Sequence, residues 1–262
     1  QYIFGRGLTI FIVLNLYLFF EEGITFYKNY MKIGISGIIG GIGLGIAMIS
    51  FIYSITNTSA AITLLCLAAM PFFTALLGFL FLRERISLNV WIAIILATIG
   101  IIIIAIGNTG KASLLGFVFG MTSSIGFSIF SVTLRWRKET PKFTTVALSG
   151  LFCFVIASIF ILSKDQVFFS TSYNGTLFSL HGVLVCFGLI LYSIGSKAIP
   201  AAELTLLSLT EVIGGIFWVW LPIFGINEVP STNTIIGGFF LFISITYYSL
   251  VIRTNRRFIA LN

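Results

Sequence analysis

The chain has 262 residues, 58% of them hydrophobic and 9% charged, with a mean hydropathy of +1.10. A soluble domain carries about 25% charged residues, so a water-facing surface of ordinary area could not be covered, and the outside must face hydrocarbon. The net charge of +7 does not imply a nucleic-acid partner, because the basic residues stand singly or in short groups between apolar runs, not on a soluble face with aromatic platforms.

Continuous apolar runs of about 20 residues cross a bilayer as helices, whereas a closed barrel would show short alternating strands. Nine such runs are predicted, over 2–20, 33–55, 59–82, 88–107, 114–134, 143–163, 176–195, 201–226 and 233–252. The first, Arg6 followed by Gly7 to Phe20, has no small-x-small cleavage site after it and meets Glu21-Glu22, so it reads as a span and not a signal peptide. The longest connectors, Glu21–Lys32 and Ser163–Gly175, leave no room for a soluble domain, a nucleotide site or a lid. Cys66, Cys153 and Cys186 each fall inside an apolar run and read as packing residues, with no metal-ligand spacing among them.

Alternation of sides at each span, with the C-terminus cytoplasmic, sorts the charges. Lys28, Lys32, Arg83, Arg85, Arg135, Arg137, Lys138, Lys142, Lys197, Arg253, Arg256 and Arg257 fall inside, and Arg6, Lys111 and Lys164 outside. Twelve of the 15 basic residues on one side is a strong positive-inside bias.

Two stretches look alike. Tyr53-Ser54-Ile55, Thr63-Leu64-Leu65-Cys66-Leu67 and Arg83-Glu84-Arg85-Ile86-Ser87 are echoed by Tyr192-Ser193-Ile194, Thr205-Leu206-Leu207-Ser208-Leu209 and Asn227-Glu228-Val229-Pro230-Ser231. The second copy has five spans and the first shows four. A five-span unit has an odd number of crossings, so its repeat must sit inverted, a recurrent plan of secondary transporters.

With Arg6-Gly7-Leu8 opening a helix, Thr58-Ser59-Ala60-Ala61, Pro71, Leu82-Arg83-Glu84-Arg85, Pro200-Ala201-Ala202, Leu206 to Glu211, Phe217-Trp218-Val219-Trp220 and Gly237-Gly238 in this order, the chain resembles the drug/metabolite transporter superfamily, EamA type. The resemblance covers the whole length. It implies an all-α integral membrane fold of ten helices in two inverted five-helix repeats, 1–110 and 111–262, with about nine helices here because the first is missing. It also implies alternating access at a central cavity. Val212 follows Glu211 where the family often has proline, which puts a helix break at that point in doubt.

Glu211, about ten residues into the 201–226 run, stands near midmembrane. An ionised carboxylate there costs about 2.5–3.5 kcal/mol on insertion scales, so it is expected to face the interior as a proton carrier or an amine partner, or else as a structural hydrogen-bond acceptor. Ser208, one turn earlier, should share its face. Tyr53 and Tyr192 occupy matching repeat positions and edge a cavity or anchor at the interface. Trp218 and Trp220 face nearly opposite ways, so at most one lines a cavity. Pro71 should kink its helix. Arg6 reads as a snorkelling end residue or a partner of Glu211, and His181 and Glu203 read as interfacial. Gly37, Gly41 and Gly45, and likewise Gly116, Gly120, Ser124 and Ser128, form small-xxx-small packing faces.

The reading is a secondary transporter of small organic solutes (metabolites, amino acids or drug-like amines), expected to act as an exporter across the cytoplasmic membrane. Its partners are the substrate, the bilayer and protons, without nucleic acid or cofactor. The alternatives are an exchanger of phosphorylated or nucleotide-linked sugars, disfavoured by the scarcity of cations within the spans, and a membrane-embedded enzyme. One His and one Asp leave few players for acid–base chemistry. A channel would favour a ring of identical polar groups from several subunits.

Overall fold

The computed structural model describes the backbone of residues 1–58, 60–84, 86–107, 113–137, 139–221 and 231–260. Ser59, Arg85, Lys111, Lys138 and the Asn227 to Pro230 connector lie outside the described residues, as do the side chains of Trp220, Arg253, Arg256 and Arg257.

The predicted spans are helices. In chain order they are α1 (Tyr2–Glu22), α2 (Tyr27–Lys32), α3 (Gly34–Asn57), α4 (Ala60–Leu67), α5 (Met70–Leu77), α6 (Leu88–Gly107), α7 (Leu114–Trp136), α8 (Lys142–Ser163), α9 (Ser172–Gly195), α10 (Ala201–Leu207), α11 (Thr210–Trp220) and α12 (Thr232–Ala260). Five described helical stretches are long and apolar enough to cross a membrane: Tyr2–Lys32, Gly34–Asn57, Leu114–Trp136, Lys142–Ser163 and Ser172–Gly195. Shorter apolar helices cover Met70–Leu82, Leu88–Ile103 and Ile235–Val251. Local chemistry marks their ends. The Thr171 side chain caps α9 by accepting the Asn174 N–H. Extended Pro141 precedes α8. Gly34, at φ 59°, turns the chain from α2 into α3 in a conformation that favours glycine.

The chain divides into two compact units, 1–52 with 125–200 and 53–124 with 201–262. Each unit draws on both halves of the sequence. In the first unit Ile10 and Leu14 of α1, Leu44 and Met48 of α3, Phe130 and Leu134 of α7, Val146 and Cys153 of α8, and Cys186 and Leu189 of α9 share one core. In lipid such helices associate through close packing, not through release of water. Small residues provide the approach. A Cβ added at Gly150 of α8 would lie 2.8 Å from the Gly7 carbonyl oxygen and 2.9 Å from the Phe11 nitrogen, both on α1. The α3 glycines pack as expected: Gly37 meets Thr140 and Thr145, Gly41 meets Leu148 and Gly45 meets Phe152. The Cys153 thiol reaches the Gly45 carbonyl at 3.4 Å.

Basic side chains gather at one end of this unit. Arg135 donates to the Ile199 carbonyl at 2.9 Å, and Lys142 Nζ to the Ser196 hydroxyl at 2.9 Å. Both close the C-terminal end of α9, where the helix dipole is negative.

In the second unit α6 lies along α12, and a Cβ at Gly100 would meet the Gly237 carbonyl. Gly116 of α7 approaches Thr58, and Gly120 approaches Cys66 and Ser54. The Ser54 hydroxyl joins Thr63 Oγ1 and the Gly116 carbonyl, each at 2.9 Å. The runs expected as single helices over 59–82 and 201–226 are both interrupted. α10 lies beside α5 and α11 beside α4, so the two interrupted helices run antiparallel.

Candidate functional site

The interruptions share one hydrogen-bond pattern. The Ala68 N–H donates to the Leu64 carbonyl at 3.0 Å and Ala69 to Cys66 at 3.1 Å. Ser208 donates to Leu204 at 3.1 Å and Leu209 to Leu206 at 3.2 Å. The four donors and acceptors correspond at a spacing of 140 residues. Matching Thr63 with Thr205, as the sequence suggests, gives a spacing two residues longer. In each case an α-helical bond gives way to a tighter i→i−3 bond.

The causes differ. In the first, Pro71 opens α5 without an N–H for the Leu67 carbonyl, and its ring crowds that oxygen. The Ser124 hydroxyl of α7 takes the Cys66 carbonyl. The second break has no proline. Val212, taken from sequence as a reason to doubt it, is 2% exposed and helical, and the interruption falls before it. Hydroxyls do the work instead: Ser208 donates to the Thr205 carbonyl at 2.7 Å, Thr210 to Leu207 at 3.0 Å, and Thr205 to Ala201 at 3.1 Å. Side chains bonded back to preceding carbonyls bend helices.

This break changes the setting of Glu211. It does not stand inside a continuous helix but in the first turn of α11, with its N–H donating to the Ser208 carbonyl at 2.9 Å. A carboxylate there complements the positive end of the helix dipole. Its side chain is exposed. Gly214, with nothing within 4 Å of an added Cβ, and Trp218, 54% exposed, follow at three and seven residues on the same helical face. Packing begins beside this face, with Val212 buried and Gly215, one turn after Glu211, against Leu64 of α4. Ser208 is half-buried and its hydroxyl is engaged by the break. Thr205 is fully buried.

The two tyrosines have different surroundings. Tyr53, in the second unit, is exposed and stacks on Phe119 with centroids 5.2 Å apart. Tyr192, in the first unit, shares a 2.6 Å hydrogen bond with the Ser131 hydroxyl and packs on Phe127 and Phe130. Glu203 accepts from the Tyr248 hydroxyl.

Arg6 does not snorkel. It is 4% exposed, donates through Nη2 to the Met48 carbonyl at 2.7 Å, and lies 5.8 Å from the centroid of the Tyr2 ring. Its neighbours are the Met48 carbonyl of α3 and the Tyr2 ring, while the 164–171 connector packs on Phe4 and Gln1 nearby. His181 is not interfacial either. It lies nine residues into α9, half-buried, with Nδ1 2.5 Å from the Tyr2 hydroxyl. Sequence placed its helix start four residues late, and so placed His181 too near the end.

The long apolar helices are those of a multi-pass membrane protein. Residues 1–106 match the EamA-like transporter family. Over that stretch the chain is similar to EamA-like transporters. It is 26% identical over 172 residues to an uncharacterized transporter of Helicobacter pylori (strain J99), covering 64% of this chain and 56% of that protein. The chain thus spans little more than half the length of that relative. It is 24% identical over 204 residues to the pseudopaline exporter CntI of Pseudomonas aeruginosa, covering 77% of this chain and 70% of that one. A solved crystal structure superposes with a TM-score of 0.75 at 15% identity, over 97% of this chain and 88% of its own, a likeness of fold.

Proposed function

We propose that the chain is a secondary transporter that exports small organic solutes across the cytoplasmic membrane by alternating access. The observation that carries the reading is the pair of interrupted helices with one hydrogen-bond pattern. Helices interrupted at corresponding positions of two repeats are how such transporters build substrate sites near the midplane. On this reading 1–110 and 111–262 are inverted repeats of a 5+5 plan. Glu211 is the coupling or amine-binding carboxylate. Ser208, Tyr53, Tyr192 and Trp218 contribute to the substrate path, and Pro71 fixes the first break. The relative named as an exporter supports the outward direction. The test is uptake and efflux of amino acids and amines in proteoliposomes, with and without a pH gradient. Flux equal to that of empty liposomes for the whole panel refutes the reading.

The same proposal places the C-terminus in the cytoplasm, as the positive-inside bias requires. The cluster of Arg135 and Lys142 at one end of the first unit supports it. A cysteine introduced at Asn255 is expected to resist an impermeant thiol reagent in intact cells and to react after permeabilisation. Rapid labelling from outside reverses the orientation.

A further inference from the structure

Arg6 poses a question of charge. A guanidinium stays protonated in any protein environment, and this one is nine-tenths buried in a membrane helix. Its Nη2 is used by the Met48 carbonyl, while its Nε is buried without a hydrogen-bond partner. Among the described residues no carboxylate pairs with it. A buried charge without a counter-charge, and a donor without an acceptor, are both costly. A purely structural tie to the Met48 carbonyl needs one neutral donor and does not require a full positive charge.

The neighbours form a small cluster on α1 and α9. The Tyr2 ring faces the guanidinium, and the Tyr2 hydroxyl meets His181 Nδ1. Phe169 and Phe178 close on Gly5, immediately before Arg6. The 164–171 connector, which is not helical, packs on Phe4 beside this cluster.

We infer that Arg6, with Tyr2 and His181 beside it, is a binding point for the carboxylate of a small organic solute. A carboxylate offers two coplanar oxygens that match the guanidinium fork, and the resulting charge-assisted bonds are among the strongest available. The aromatic wall favours an organic acid over a doubly charged inorganic anion, which loses more hydration on entering it. The assignment rests on the transport reading only for the identity of the solute as the molecule that is moved.

His181 is the only histidine of the chain, so protein labelled with 15N-histidine gives one imidazole signal, already beside the site. In nonionic detergent, titration with sodium acetate is expected to shift that signal saturably, while sodium chloride and methylammonium chloride at equal ionic strength do not. Arg6→Gln should lose the shift. Arg6→Lys, which keeps the charge and a donor for the Met48 carbonyl but not the fork, should weaken it. Tyr2→Phe should move the resting signal and keep saturation. The absence of a saturable acetate shift in the unaltered protein overturns the inference, as does wild-type affinity in Arg6→Lys. So does a shift produced by phosphatidylglycerol in mixed micelles but not by acetate, which would make this a lipid-phosphate contact. Acetate binding without solute flux in proteoliposomes would remove the transport reading and leave the site standing.

Discussion

Gly150→Leu is expected to leave no folded protein in the membrane fraction, and Gly150→Ala to lower the unfolding midpoint in detergent. The cause lies at the crossing of α1 and α8. A Cβ at Gly150 meets the Gly7 oxygen at 2.8 Å, the Phe11 nitrogen at 2.9 Å and Ile10 Cβ at 3.2 Å. The first two are backbone atoms, which cannot rotate away as a side chain can. Overpacking of this kind costs about 1–3 kcal/mol for small additions, and leucine adds three more carbons in the same place. Gly7 meets the same crossing from the other side, with the Gly150 oxygen 2.9 Å from its added Cβ. Gly188 of α9 supplies the control. An added Cβ there has nothing within 4 Å, so Gly188→Ala should be neutral or stabilise by about 0.5–1 kcal/mol through helix propensity. Equal midpoints for Gly150→Ala and Gly188→Ala would mean that this crossing does not hold the first unit together.

Glu211→Gln is expected to abolish accumulation driven by a pH gradient while exchange of substrate across the liposome membrane continues. The amide keeps the size and hydrogen-bonding capacity of the carboxyl but cannot take up and release a proton. Glu211 stands at the start of α11, immediately after the break, on the exposed face that continues through Gly214 and Trp218. If Glu211 instead holds a substrate amine, driven flux and exchange fall together. Wild-type rates in both assays assign it to the N-terminal turn of α11 alone, where a negative side chain stabilises the helix.

Helices were legible because hydrocarbon permits almost nothing else, and their ends followed the polar residues. The interruptions were only half legible. Pro71 announces the first directly, since proline lacks the donor. The second arises from Thr205, Ser208 and Thr210, each ordinary in a membrane helix, whose hydroxyls reach back to carbonyls one turn earlier. Hydroxyl rotamers leave no periodic trace in a sequence. The glycine faces could be read from spacing alone, because only small residues let two backbones touch. Arg6 was misread because its partner is the backbone carbonyl of Met48, 42 residues away on another helix, and a backbone acceptor leaves no trace in the sequence. His181 was misread because the span was drawn from hydropathy, while α9 starts at the capped, polar Ser172.

The two breaks also differ in mutational robustness. The first rests mainly on one covalent feature: any residue but proline at position 71 restores a donor for the Leu67 carbonyl and leaves only the Ser124 hydroxyl on the Cys66 carbonyl to hold the break. The second is redundant. Ser208 and Thr210 bond back across it, and Thr205 bonds back in the turn before it, so loss of one hydroxyl leaves the others in place. Substitution at position 205, 208 or 210, one at a time, is therefore expected to keep the second bend, while substitution at position 71 removes the proline on which the first is built. The bend without proline is thus the one buffered against single substitutions, and Glu211 stands directly after it.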